Sequence, residues 1–149
     1  MKICKPRYIV NLTQHDATPE QFAQGVYNVC DELKPSLKES LTFGSLPSIK
    51  DLKSRAKRVA SLVLSNIILE CEAPVPSFLS VRSVLEDYEI CAMIGGAPFF
   101  MPFLERALIE DNITPLYAFS KRVSIEETQP DGTVLRRNVF KHEGFVEVL

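Results

Sequence analysis

A short apolar run, Tyr8-Ile9-Val10, is followed at once by the polar cluster Asn11-Leu12-Thr13-Gln14-His15 and then by Thr18-Pro19-Glu20-Gln21. The run reads as a buried strand that Leu12 can extend. The last four residues read as a helix start: Thr18 suits the N-cap, Pro19 the first helical position, and Gln21 completes a capping box. Strand, polar turn and capped helix in that order is how an α/β protein builds a ligand site at the carboxyl end of its sheet. One of only two histidines in the chain, His15, sits in that turn.

A chain of 149 residues holds one core and is too short for two ordinary domains. A net charge of −2 gives no global attraction to duplex nucleic acid or to a membrane, so an anion site has to be local. No apolar run is long enough to span a bilayer. Cys4, Cys30, Cys71 and Cys91 stand far apart without a Cys-x-x-Cys pair. That spacing suits a reduced cytoplasmic setting and argues against zinc.

Further along, the first helix is expected to reach Ala23 or Gln24 and to end at Gly25. Val26 to Val29 reads as a short strand, and residues 31–43 as a helix with Leu33, Leu37 and Leu41 on one face. Ser48 caps the clearest helix, residues 49–65, whose Leu52, Ala56, Val59 and Val63 recur at helical spacing. Its other face carries Lys50, Lys53, Arg55, Lys57 and Arg58, which is either solvated surface or a contact for an anionic partner. Residues 66–88 are hard to read: Ile67-Ile68-Leu69 fits helix end or strand, Pro74-Val75-Pro76 is a break, and Ser77 or Ser80 opens a helix through Leu85. Ile90 to Ile94 is a core strand closed by Gly95-Gly96. Pro102 belongs in the first turn of a helix running to about Asp111. Ile113 to Phe119 is the next strand, parallel to the last, and Asp131-Gly132 turns a final hairpin, Val123–Gln129 with Thr133–Phe140.

These elements predict one Rossmann-like α/β domain over residues 1–149, with a mostly parallel sheet flanked by helices and a C-terminal antiparallel hairpin. Three strand ends carry site character. Asn11, Thr13, Gln14 and His15 form the first. Gly95, Gly96 and Ala97 form the second, where backbone amides can approach a ligand ahead of a helix N-terminus, although tight packing explains two glycines equally well. Ser120, Lys121 and Arg122 form the third and supply positive charge. In a parallel sheet the three converge on one rim. His15 can act as a proton carrier or simply bond a backbone carbonyl; His142 reads as a structural or interface residue. Glu126 and Glu127 point to opposite faces of a strand and are no catalytic pair by themselves. No Ser-His-Asp order, His-Glu-x-x-His or metal-spaced cluster is present, and no cofactor or metal is expected.

The stretch Asn11 to Gln21, the centre Ala92-Met93-Ile94-Gly95-Gly96-Ala97-Pro98 and the C-terminal part resemble a family of small uncharacterised bacterial and prophage proteins, with 66–88 as a variable insert. The tail, Tyr117 to Arg122 through Glu126, Asp131-Gly132, Phe140, His142 and Phe145, is also similar to small CRISPR-associated proteins of the ring-nuclease type. That resemblance implies a Rossmann-like fold and metal-independent cleavage of cyclic oligoadenylates, with the nucleotide near Ser120-Lys121-Arg122. The Gly95-Gly96-Ala97-Pro98 turn departs from that group's pattern.

The expectation is therefore a nucleotide-like anion, such as a cyclic oligonucleotide, bound in the carboxyl-end crevice. His15, Lys121 and Arg122 would carry any phosphodiester cleavage, and a homodimer would face two sites at one symmetric ligand. The hairpin, with its apolar Val139, Phe140 and Phe145, would be the edge of that dimer. The alternative is a non-enzymatic phage or bacterial regulator whose polar turns are structural and whose hairpin pairs with a partner by strand addition.

Overall fold

Tyr8 and Val10 pack into one hydrophobic layer and Ile9 into the other. A strand buried on both faces belongs inside a sheet whose two sides are covered. The computed structural model describes residues 4–71 and 80–148 and places this strand, β1 (Arg7–Asn11), at the centre of the parallel part. It is followed by α1 (Pro19–Ala23), β2 (Val26–Asn28), α2 (Lys34–Leu41) and α3 (Ile49–Cys71). Then come α4 (Val81–Asp87), β3 (Glu89–Met93), α5 (Met101–Glu110), β4 (Thr114–Thr128) and β5 (Val134–Glu147). The sheet order is β2-β1-β3-β4-β5; the first four strands are parallel and β5 is antiparallel to β4.

The chain steps from β1 outward to β2 and then back across β1 to β3. That reversal puts α1 on one face and α2, α3 and α5 on the other. The heavier layer buries Val59, Val63, Ile67, Leu104 and Leu108 against Tyr8, Val10 and Ala92. The lighter one gathers Ile9, Ala17, Val26, Cys91, Met93 and Leu116, with Phe145 against them. On that lighter face Arg7 pairs with Glu89 at 3.5 Å and Glu147 at 3.2 Å, tying β1 to its neighbour β3 and to β5 at the far edge of the sheet.

The capping box forms as expected: Gln21 N–H donates to Thr18 Oγ1 and Thr18 N–H to Gln21 Oε1. Gly25 then turns the chain into β2 with φ of 95°, and a Cβ there would lie 2.9 Å from the Arg7 carbonyl oxygen. Only glycine fits that approach.

Three segments differ from the sequence reading. α3 continues past residue 65 to Cys71, because the polar Asn66 on its inner face has a partner: its Oδ1 accepts the Cys30 N–H at 2.7 Å. Ile67-Ile68-Leu69 is therefore helix. Arg55 leaves the basic face of α3. Its guanidinium binds Asp51 at 3.0 Å and the Thr42 carbonyl at 2.7 Å and lies over the Phe43 ring, so it fastens α3 to the end of α2. Lastly, the strand at 113–119 and the hairpin are one structure. β4 runs unbroken through residues 120–122, and β5 returns as far as Glu147, opposite Leu116. One extra residue, Glu143, sits in β5 at the Phe119/Ser120 step, and this bulge lets two long strands twist past each other. Ser80 with Ser83 opens α4; Pro74-Val75-Pro76 and Ser77 lie outside the described residues.

The thiols give a test of this layering. Burial, reinforced by Glu89, pushes the Cys91 thiol up to about 12, whereas Cys4 is exposed. A disulfide reagent at pH 8 is expected to label Cys4 rapidly and Cys91 only on unfolding. The folded chain keeps the Cys91 proton where the unfolded chain, at 9.0, releases it. Stability carried by that difference is complete below pH 9 and falls as pH rises toward 12, which urea unfolding across that range would register.

Candidate functional site

Asn11 closes β1 and is only 3% exposed, so each of its polar atoms needs a partner inside the protein. The backbone register sets Asn28 of β2 directly opposite. Asn11 Nδ2 donates to Asn28 Oδ1 at 2.9 Å and to the His15 carbonyl at 2.7 Å. Its Oδ1 accepts the Thr13 N–H at 2.9 Å and lies 2.7 Å from Thr13 Oγ1. Asn28 Oδ1 also accepts the Ala17 N–H. Two donors and two acceptor sites on Asn11 are thus all used. Asn11 and Thr13 shape the β1–α1 turn from within it, and what the turn offers outward is the exposed side chain of His15, flanked by Gln14 and Asp16.

Two crevices share this turn as a wall. The first, about 380 Å³, opens between the ends of β1 and β2 and the start of α2; it is lined by Asn28, Lys34, Leu37 and Lys38 besides the turn. The second, about 640 Å³, lies at the ends of β1 and β3, where the loops part to opposite faces of the sheet; Gln21, Gly95, Gly96, Tyr117 and Ala118 complete it. Thr13, Gln14, His15 and Asp16 belong to both. The His15 ring has no hydrogen-bond partner among the described residues. Charge differs between the two sides. Lys34 is engaged by Asp31 at 3.1 Å and, more distantly, by Asp16 at 3.9 Å, and Asp31 with Asp16 holds its ammonium above the usual lysine range. Lys38 has no acidic partner among the described residues.

The second strand end behaves differently from the expectation built on it. Gly95 and Gly96 line the larger crevice, and their N–H groups are unpaired among the described residues. A turn over Ala97–Phe100 stands between these glycines and the start of α5, and Ala97 O accepts the Phe100 and Met101 N–H groups. Pro98 and Pro102 have no N–H to give. Ala97 packs half-buried against the core and lines neither crevice.

Ser120, Lys121 and Arg122 are not a strand end at all. They lie within β4, past Ala118 and beyond both crevice linings, exposed and paired with His142, Lys141 and Phe140 of β5. The rim therefore unites two of the three expected clusters. His142 has a structural place: it is buried beside the β5 bulge, its Nε2 lies 2.8 Å from Gln24 Oε1, and its Nδ1 lies 3.4 Å from Gln21 Nε2. The capping box commits Gln21 Oε1 to Thr18, so Gln21 presents its NH₂ to His142. The ring then accepts at Nδ1 and donates from Nε2, the neutral Nε2–H tautomer.

Sequence reasoning missed Asn28, Lys34, Lys38 and Tyr117 as site residues. Lys34 and Lys38 are four apart and so share one face of α2. That face points at the site because Leu37 and Leu41 are buried on the helix side turned to the core. Tyr117 donates its hydroxyl to Glu105 at 2.7 Å, and burial together with that carboxylate raises its pKa. Among the described residues no group of three or more His, Cys, Asp or Glu side chains is placed to hold a metal ion, and no helix is long and apolar enough to cross a membrane.

A family model described as the Uncharacterized protein MJ1673 family matches residues 7–146, and the chain belongs to that family. The matched span runs from the first residue of β1 almost to the end of β5, so it includes both crevices and the hairpin. No curated protein and no solved structure matches the chain.

Two neighbouring glycines are expected to respond differently to alanine. Gly96 has φ of 148°, where a side chain is strained, whereas a Cβ on Gly95 would meet only Thr13 Cγ2 at an ordinary 3.6 Å. Gly96→Ala should cost about 1–2 kcal/mol in denaturant unfolding and Gly95→Ala much less. Asn11→Ala, which strands partners on both sides of the turn, should cost about 2 kcal/mol or more.

Proposed function

We propose that this member of the MJ1673 family binds a nucleotide-like anion across the two carboxyl-end crevices and cleaves a phosphodiester without a metal. The observation that carries the reading is the placement of His15. It is an unpartnered, exposed imidazole on the wall common to both crevices, with Lys38 on one side and the free Gly95 and Gly96 amides on the other. An anionic group on that wall would find a cation, backbone donors and a proton carrier within one ligand's reach. The similarity of the tail to ring-nuclease-type proteins makes cyclic oligoadenylate the ligand to test first.

The chemistry requires only groups of the chain and the ligand. A ribose 2′-hydroxyl attacks the adjacent phosphorus in line; the new O2′–P bond forms as the P–O5′ bond breaks. His15 takes the 2′ proton as the attack begins and returns it to O5′ as the P–O5′ bond breaks, and Lys38 offsets charge on the phosphoryl oxygens. Lys121 stands three residues beyond Ala118, about 10 Å at the rise of a strand. It would meet an oligonucleotide that extends up β4 and not a mononucleotide.

A second reading has its own support. The two-stranded β4–β5 ribbon exposes Phe119, Leu135 and Phe140, as a surface for a macromolecular partner does. In that case the chain is a non-enzymatic regulator.

Incubation with linear and cyclic oligoadenylates in EDTA, with products read by mass spectrometry, separates the two. Cleavage is expected, with a roughly 100-fold or greater loss in folded His15→Ala and a smaller loss in Lys38→Ala. Lys121→Ala should weaken oligonucleotides while sparing mononucleotides. Binding without cleavage in the native chain would mean a sequestering protein, and neither binding nor cleavage would leave the regulator.

A further inference from the structure

β4 outlives its neighbour. β3 pairs with it only as far as Leu116, and from there to Thr128 its sole partner among the described residues is β5. The edge of β4 turned away from β5 therefore presents a row of unpaired backbone N–H and C=O groups over its outer half, and such an edge is a template for another strand. Proteins that keep such an edge single usually place like charges or proline on it. Here residues 121–127 read Lys-Arg-Val-Ser-Ile-Glu-Glu.

This heptapeptide complements its own reverse. Laid antiparallel against a second copy about Ser124, Lys121 faces Glu127, Arg122 faces Glu126, Val123 faces Ile125 and Ser124 faces Ser124. Opposite charges and β-branched pairs directly across an antiparallel pair are the arrangements that stabilise one. Within one chain Glu126 and Glu127 already bind Arg136 at 3.3 Å and Arg137 at 2.8 Å on β5, in exposed pairs. Lys121 and Arg122 have no carboxylate partner among the described residues. The outer edge of β5 behaves in the opposite way: Arg136, Arg137 and Lys141 stand between Val134 and Lys141 with no acidic residue among them, so it repels its own copy.

We propose that the protein forms a two-fold homodimer in which the free β4 edges of two copies pair antiparallel about Ser124, joining both ribbons into one four-stranded sheet. The contact is isologous and closed, because each β4 has a single free edge and it is used once. The side chains alternate as the pairing requires. Lys121, Val123, Ile125 and Glu127 share one face of β4, so Val123 and Ile125 of both copies, with Val139 beside each Val123, merge into one apolar stripe. The register also fixes where the crevices go. The span from Ala118 to Ser124, doubled across the axis, comes to about 40 Å. Each crevice then serves its own ligand, and the dimer does not close two sites on one ring.

Sedimentation velocity of the full chain over a range of concentrations and salt tests this. The native chain is expected to dimerise reversibly, less tightly as salt screens the cross-chain pairs. The double variant Lys121→Glu with Arg122→Glu makes this stretch all acidic. Glu126→Lys with Glu127→Lys makes it all basic. Each alone should associate roughly tenfold or more weakly than the native chain, and an equimolar mixture should recover a one-to-one dimer. Ser124→Cys leaves every charge in place; mild oxidation should link two copies through that position, in a band that the native chain with its exposed Cys4 does not give. A native chain that stays monomeric, charge variants that dimerise as the native chain does, a mixture of folded variants that fails to associate, or no cross-link at position 124 would each overturn the proposal.

Discussion

The rest of the structure hangs on a side-chain amide that cannot be left unsatisfied. Asn11 ends the central strand at a depth where water does not reach it, and burying its four hydrogen-bonding positions unpaired would cost more than most single contacts in the domain contribute. Pairing them brings Asn28 across from β2 and bends the following five residues back over the strand end. Polar satisfaction of a core residue thereby dictates the path of a surface turn. Of the turn's outward side chains, Gln14 donates to the Leu41 carbonyl at 3.4 Å and Asp16 lies 3.9 Å from Lys34, which leaves His15 as the free one among the described residues.

A division of labour follows. Residues that look most chemical in a sequence, Asn11 and Thr13, spend their hydrogen bonds on shape. Those that remain available, His15, Lys38 and the Gly95 and Gly96 amides, come from three separate elements and meet only because the sheet reverses its strand order between β1 and β3. The thin cover on the α1 side adds to this. A five-residue helix leaves much of that face to Ile9, Cys91, Met93 and Leu116, and the final strand finishes it with Phe145 and His142.

Much of this was legible in the sequence where local chemistry decides. The Thr18 capping box, Pro102 near the start of α5, the apolar stripe of α3 and the Asp131-Gly132 turn are local signals, and each sits where it was read. What escaped notice depends on partners distant in the chain. Ile67-Ile68-Leu69 stayed open between helix end and strand because nothing nearby reveals that Cys30 supplies a hydrogen bond to Asn66 from 36 residues away. Lys121 and Arg122 looked like a junction because charge ended an apolar run. The run ends there because β3 ends, and β4 itself continues. Arg55 looked like surface charge because the carbonyls and the Phe43 ring that receive it belong to the α2–α3 connection. Lys34 and Lys38 were passed over since α2 carries no motif; only its docking angle gives them a role.

The bond between His142 and the two α1 glutamines has a kinetic meaning as well. β1, α1 and β2 leave the ribosome early, while His142 follows Gln21 by 121 residues. Until the last strand is made and paired, Gln21 and Gln24 have no ring to hold, and α1 rests on its cap and on its contact with β2. The wall of both crevices is thus among the first parts synthesised and the last to be locked. A nascent or truncated chain can own a complete core and still lack a finished site, so binding competence reports on completion of the whole chain.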